Sequence, residues 1–325
     1  MKKLFHSLFL IICINTYAQT NYRFAFYNFE NLFDVVDDPE TRDEEFTPEG
    51  PRHWNNYKYY RKLDQLARVV SLMGDWSALD ALGFCEVEHQ SCIEDLLQRD
   101  PLNREKFGIV YEESDDRRGI DVGFIYNKRV FKEIYHQKIE VRTNDEPDFR
   151  TRDILLVQLN ALESNDSIYF LINHWPSKYR GKLESEHLRI LASKRLSESI
   201  NELLEKNKNA KIIVMGDFND TREERSIQLL EESTGLINVF SDYKASIKSH
   251  KYQAEWSLID QIFITPRVSV EFDIKKFVYE AEFLLEPDEK FLGQKPRRSF
   301  TGMSYNADGF SDHLPVFIDL VRRQP

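Results

Sequence analysis

The sequence predicts an α/β domain in which short buried strands lie between amphipathic helices, and three observations lead there. Apolar runs at 24–29, 79–85, 122–126, 154–159, 168–172, 212–215, 259–264 and 314–320 are short, and several are continuous rather than alternating. That suits strands buried on both faces. Between them, 57–73 carries Leu63, Leu66, Val69, Val70 and Met73 at helical spacing, and 184–206 carries Leu188, Leu191, Ala192, Leu196, Ile200 and Leu203. Both stripes read as core contacts. No repeat and no low-complexity linker divides the chain, so one domain from 20 to 325 is expected.

The bulk numbers agree. At 325 residues, with 41% hydrophobic and 13% aromatic residues, the chain can bury a substantial core, and nothing in its charge suggests disorder. The first residues, "MKKLFHSLFLIICINTYAQ", set two lysines before an apolar core at 4–14 and a small-residue end, Thr16-Tyr17-Ala18. This is the layout of a secretory signal peptide over 1–18, which predicts a periplasmic or secreted protein starting at Gln19. Cys13 follows Ile12 rather than a small residue, so no lipoprotein site is read. Cleavage removes two lysines and takes the formal net charge from −11 to −13. No other run is long enough to span a bilayer. Cys85 and Cys92 have no zinc-type spacing; a disulfide between them is open, with separate buried thiols the preferred reading.

Polar residues then fall at the ends of the buried strands. "RFAFYNFEN" delivers Asn28, Glu30 and Asn31; "LDALGFCEVE" delivers Glu86 and Glu88; "IYFLINHWPSK" delivers His174 and Lys178. "IIVMGDFND" delivers Asp217 and Asn219, "SLIDQIFIT" holds Asp260 inside an apolar strand, and "GFSDHLPVFIDL" sets Asp312-His313 before the last strand. Each has a plain structural explanation: a loop amide, a helix cap, a core histidine, a surface turn. "GDFND" is no calcium loop, since the positions needing Gly and Glu hold Arg222 and Gln228. Asp260 is harder to dismiss, because a carboxylate in a buried strand needs a partner. Six such groups at the mouths of strands point to an active site.

In their order and wording these segments resemble the endonuclease/exonuclease/phosphatase superfamily, the group with the deoxyribonuclease I fold. The motifs are Asn28, "FCEVE", "RRGIDVGFIY", "NHWPSK", "GDFND", "LIDQIFIT" and "SDHLPV", and they run from Phe24 to about Leu320. The resemblance implies a four-layer sandwich, two mixed β-sheets face to face with helices outside, and divalent-metal phosphoester hydrolysis. It assigns catalysis to His174, Asp217, Asn219, Asp260 and His313, with Asp121 orienting His174. Asp217 would polarise the attacking water or hold a metal, and Asn219 would contact phosphate. Mg2+ or Mn2+ suits an all-oxygen site of Asn28, Glu86 and Asp312. His174 aligns the chain with the deoxyribonuclease I, sphingomyelinase and inositol-phosphatase branches, where it would bind phosphate or protonate the leaving oxygen.

Substrate residues are less sharply drawn. Lys178 and Arg180 follow His174 and are candidates to hold phosphate, as are Arg297 and Arg298 in "GQKPRRSFTGMSYNADGFSDH", which reads as a loop over the site. The expected partner is a phosphoester, nucleic acid or a phospholipid headgroup among the candidates, acted on by a monomer. A phosphodiesterase or nuclease leads; a phosphomonoesterase or sphingomyelinase-like enzyme is the alternative. The chain lacks a global basic footprint for nucleic acid, though a local groove suffices. A non-catalytic binding protein on the same fold would not need all these groups.

Overall fold

The computed structural model describes residues 21–74, 78–143, 149–178, 181–242 and 248–324. The expected signal peptide lies outside the described residues. Two six-stranded mixed sheets form the centre. The first runs, in spatial order, β13 (Phe272–Val278), β18 (Val316–Arg322), β1 (Asn21–Leu32), β2 (Ala81–Val87), β4 (Asp121–Asn127) and β3 (Phe107–Tyr111). The second runs β5 (Phe131–Ile139), β6 (Ile154–Ala161), β7 (Ser167–His174), β8 (Lys211–Asp217), β12 (Asp260–Ile264) and β9 (Ile237–Asn238). Each sheet has one parallel pair, β1 with β2 and β7 with β8, and is otherwise antiparallel.

Alternation along β1 shows how the layers form. Phe24 and Phe26 face the second sheet and pack with Phe170, Ile172 and Met215. Ala25, Tyr27 and Phe29 point the other way, into a core shared with α1 (Asn56–Met73) and α2 (Gln90–Leu97). On the outer face of the second sheet, α3 (Lys182–Lys206) and α4 (Arg225–Thr234) bury Leu196, Ile200, Ile227 and Leu230 against Val214 and Phe263. The result is the expected four-layer sandwich. Close approach of the sheets needs Gly83: a Cβ there would stand 2.9 Å from Met215 Sδ and 3.0 Å from Ile172 Cδ1.

Every apolar run overlaps a strand, and both expected helices exist. α1 starts at Asn56 because the Asn55 side chain caps it, accepting from Lys58 N at 3.2 Å. A short α5 (Pro266–Glu271) follows β12. The segment expected to be a loop over the site is partly ribbon: β14 (Leu285–Pro287) pairs with β15 (Gln294–Pro296), and β16 (Phe300–Thr301) with β17 (Ser304–Tyr305). A third ribbon joins β10 (His250–Tyr252) to β11 (Glu255–Ser257). Cys85 and Cys92 are both buried and free. Among the described residues no helix is long and apolar enough to cross a membrane.

Candidate active site

The two parallel pairs end on the same side of the sandwich, and this places the polar residues. Asn28 and Glu86 lie toward the C-terminal ends of β1 and β2; His174 and Asp217 end β7 and β8 as register partners. Antiparallel β12 brings the first residue of its strand, Asp260, opposite Asp217. Asp312 and His313 precede β18, whose start likewise lies at this end. Local backbone supports the arrangement. The β2–β4 register shifts between Cys85 and Val87, so Glu86 bulges out with φ 63°. Glu30 (φ 49°) and Asn219 (φ 52°) are also left-handed, a conformation that non-glycine residues adopt at a cost and that clusters at functional sites. "GDFND" is therefore both a turn and a site.

At the centre, Asn28 is fully buried and its Nδ2 donates to Asp217 Oδ2 at 3.1 Å and Glu86 Oε1 at 3.3 Å. Its Oδ1 accepts from Glu30 N at 2.8 Å, which fixes the amide's orientation. Asn28 thus joins the two carboxylates. Glu86 Oε2 accepts from Asn31 N at 2.9 Å. Among the described residues no lysine or arginine pairs with Glu86; its charged-type neighbour is His174 Nε2 at 3.8 Å. A carboxylate without an ion-pair partner fits a hard divalent ion, and Asp312, the other expected carboxylate ligand, pairs with Arg298 at 2.8 Å.

His313 links the two halves. Its Nδ1 lies 2.7 Å from Asp260 Oδ2, and its Nε2 lies 3.8 Å from Asp217 Oδ2 and 3.9 Å from Asp312 Oδ1. Burial alone would lower its pKa, but the carboxylates of Asp260 and Asp217 outweigh burial and hold it well above the usual histidine range. Burial pushes Asp217 up to about 7, against the pull of His313. His174 goes the other way: burial, aided by the charges of Arg152 and Arg118, holds it well below its usual value. It is a neutral imidazole at pH 7, and its Nδ1 has no hydrogen-bond partner. His250, whose ring lies 4.7 Å from that of His313, is also kept neutral, pushed down to about 4 by burial and then by His313.

A second network lies beside the first. Arg298 donates to Asp312 Oδ2 at 2.8 Å and to Glu30 Oε1 at 3.2 Å, and Ser299 N donates to Glu30 Oε2 at 2.6 Å. Buried Lys62 of α1 donates to Ser299 Oγ at 2.7 Å. Burial and the nearby Asp312 push Glu30 up to about 7, and burial pushes Lys62 down to about 8. Burial opposes ionisation of Asp312, but Arg298 prevails and its pKa falls below the usual range.

Several expected roles change. Asp121 does not reach His174: it accepts from Ser114 Oγ, Ser114 N and Tyr111 OH, and burial pushes it up to about 8. It starts β4 of the first sheet, whereas His174 ends β7 of the second, and its bonds go to the loop before it. Lys178 lies 3.0 Å from Asp220 Oδ1 and 3.2 Å from Glu224 Oε1, so its charge is taken by carboxylates rather than left for phosphate. Arg297 donates to the Leu285 carbonyl at 3.1 Å and forms part of the ribbon, away from the carboxylates. Arg180 lies outside the described residues. Asn219 is at the site, with its Nδ2 committed to the Trp175 carbonyl at 3.0 Å. Sequence reasoning missed Lys62, His250 and Arg152. Lys62 hides in a helix whose stripe reads as core, and His250 sits in a segment with no periodicity. Arg152, which donates to the same Trp175 carbonyl at 2.8 Å, follows no strand end.

A model of the Endonuclease/Exonuclease/phosphatase family matches residues 23–322. Among solved structures, an endonuclease/exonuclease/phosphatase family protein from Bacteroides thetaiotaomicron is similar, with 16% identity and a TM-score of 0.61 over 95% of this chain and 100% of that one. A mannosyl-6-phosphatase from Bacteroides thetaiotaomicron VPI-5482 has 17% identity and a TM-score of 0.59, over 92% and 99%. The catalytic domain of human Nocturnin, bound to sulfate, has 13% identity and a TM-score of 0.60, over 93% and 95%. No curated protein matches the chain.

Proposed function

The chain belongs to the endonuclease/exonuclease/phosphatase family of phosphoester hydrolases, and on that premise we propose that it is an exported phosphodiesterase that works with Mg2+ or Mn2+. The observation that carries this reading is the geometry around His313, whose Nδ1 lies 2.7 Å from Asp260 and whose Nε2 lies 3.8 Å from Asp217, with burial raising Asp217 to about 7 and the two carboxylates raising His313. With both raised, Asp217 is a carboxylate above about pH 7 while His313 still holds its proton, which divides the base and acid work. Asp217 accepts a proton from the attacking water. His313, fixed by Asp260 through Nδ1, directs Nε2–H at the phosphoryl group, where it stabilises developing charge and protonates the leaving oxygen. Neutral His174 supplies a hydrogen bond and no proton. Glu86 and Asp312 would hold a divalent ion, which would supply positive charge to the phosphoryl group.

A diester is favoured because Arg298 already serves Glu30 and Asp312 and His313 is braced by Asp260, which leaves little positive charge for the second negative charge of a monoester. Within diesters, nucleic acid is the leading class. A second reading, a phosphomonoester or phospholipid headgroup, draws on the formal net charge, −11 for the full chain and more negative once Lys2 and Lys3 are removed, which offers no broad attraction for a polyanion. One assay tests both: purified protein with Mg2+ or Mn2+ on bis-p-nitrophenyl phosphate, p-nitrophenyl phosphate, plasmid DNA, RNA and sphingomyelin. Turnover of the diester well above the monoester is expected; monoester turnover alone supports the second reading, and no turnover at all sinks both. Export rests on residues 1–18. Mass spectrometry of the exported protein should give Gln19 as its first residue, and an intact Met1 would end the idea.

A further inference from the structure

We propose that Asp34, Glu88 and His89 bind a first-row divalent transition ion at a second site, separate from the hydrolytic centre. Each offers one ligand atom, and the three atoms lie within 4.8 Å of one another. Asp34 follows β1 by two residues, and Glu88 and His89 directly follow β2. Glu88 is 1% exposed; its Oε2 accepts from Asp34 N at 2.7 Å, and its Oε1 has no hydrogen-bond partner. Asp43, also 1% exposed, lies close enough for its charge to act on Glu88 and has an unpartnered Oδ1 of its own. Among the described residues no lysine or arginine forms an ion pair with Asp34, Glu88 or Asp43. A cation would satisfy these unpartnered buried oxygens, which are expensive to leave without a partner.

The donor set says which cation. His89 Nδ1 lies 3.3 Å from Glu113 Oε1, the usual carboxylate brace of a metal-bound histidine, which leaves Nε2 for the ion. One imidazole with two carboxylates suits Zn2+ or Mn2+ better than Mg2+ or Ca2+, which prefer oxygen alone. Asp34 and His89 are partly exposed, so the ion has a way in. The ion would clamp the chain leaving β1 to the chain leaving β2, alongside the bond from Glu88 N to Leu32 O at 3.0 Å. Those same segments carry Asn28 and Glu86, so the clamp would hold the hydrolytic centre's geometry from outside. The competing arrangement is a protonated His89 acting alone as counter-ion.

Equilibrium titration of the whole purified protein separates these, with free Mn2+ followed by electron paramagnetic resonance and Zn2+ by calorimetry. Glu86→Gln, which removes a ligand of the hydrolytic centre, should still bind one ion, and X-ray absorption of its Zn2+ form should show imidazole scattering. Asp34→Asn/His89→Asn should lose that ion. Glu113→Gln should weaken it about 10–100-fold, the usual effect of removing an outer brace. His89→Gln alone, at a partly exposed position, guards against misfolding of the double variant and should also lose it. The proposal is overturned if Glu86→Gln binds no ion, or if His89→Gln and the double variant bind as tightly as wild type.

Discussion

The imidazole of His313 spans two carboxylates on neighbouring strands: Nδ1 is 2.7 Å from Asp260, and Nε2 is 3.8 Å from Asp217, the residue directly opposite Asp260 in the β12–β8 register. Because Asp260 holds the Nδ1 proton, Nε2–H is aimed at the space between Asp217 and Asp312. The two residues should therefore behave as one unit. His313→Ala should lower kcat about 10²–10⁴-fold, the range for acid–base groups. Asp260→Asn should fall in the same direction, and the double variant should be scarcely worse than His313→Ala. Circular dichroism must show each variant folded, since Asp260 is fully buried. Additive losses in folded protein would mean that the pair does not act together.

Asp217 gives a pH signature with a definite sign. Burial raises it to about 7, and it serves as base only after losing its proton. With the reaction limited by chemistry, kcat/KM should climb tenfold per pH unit below about 7 and level off above it, until His313 loses its proton. Stability runs the opposite way. Unfolded aspartate titrates near 3.9. Between about 4 and 7 the native state keeps a proton that the unfolded state has lost, so stability falls as pH rises through that window. Asp217→Asn should accordingly be inactive yet melt higher than wild type at pH 8 in metal-free buffer, with the gap closing at pH 4. A rate limb near pH 4 would show that Asp217 is not the base.

Removing divalent ions tests the role given to Glu86. Dialysis against chelator should abolish turnover, and Mg2+ or Mn2+ should restore it. Glu86→Gln should stay inactive at metal concentrations that saturate wild type. Its folded structure should survive, because Glu86 is partly exposed and sits in a bulge rather than in the ladder. Full activity in excess chelator would remove the cation from the mechanism.

The comparison of sequence with structure divides along physical lines. Strands such as β8 and β12 were legible because burial on both faces makes them continuous apolar runs ending abruptly in Asp217 or beginning at Asp260. β5 was not, since its burial alternates irregularly and it forms a sheet edge with exposed Ile134 and Tyr135. The polar residues at strand ends come together because the register of the parallel strands aligns those ends. Pairing was not legible. Nothing in "RRGID" announces that Asp121 turns to Ser114, and nothing in "NHWPSK" announces that Lys178 meets Asp220. Such contacts depend on distant loops, so basic residues near a site motif looked available when their charge was already used.

Lys178 was expected to hold substrate, and its loss would then raise KM. In the structure it joins Arg189 around Asp220: Arg189 Nε lies 2.7 Å from Asp220 Oδ2, both side chains are fully buried, and Ser226 Oγ donates to the same oxygen at 2.6 Å. Asp220 is the last residue of "GDFND", so this cluster fixes the turn carrying Asp217 and Asn219 between α3 and α4. Lys178 is at its edge, with a side chain 31% exposed, where water screens it. Lys178→Ala should leave KM nearly unchanged and cost less than about 1 kcal/mol, as for exposed ion pairs. Arg189→Met, by contrast, strands a buried carboxylate and should cost about 3–5 kcal/mol. Restoring shape and neutrality together, in Arg189→Met/Asp220→Asn, should recover part of that loss. Chemical denaturation of the three variants beside Michaelis kinetics on bis-p-nitrophenyl phosphate makes the check. A several-fold rise in KM for Lys178→Ala, with stability untouched, would return that lysine to the substrate.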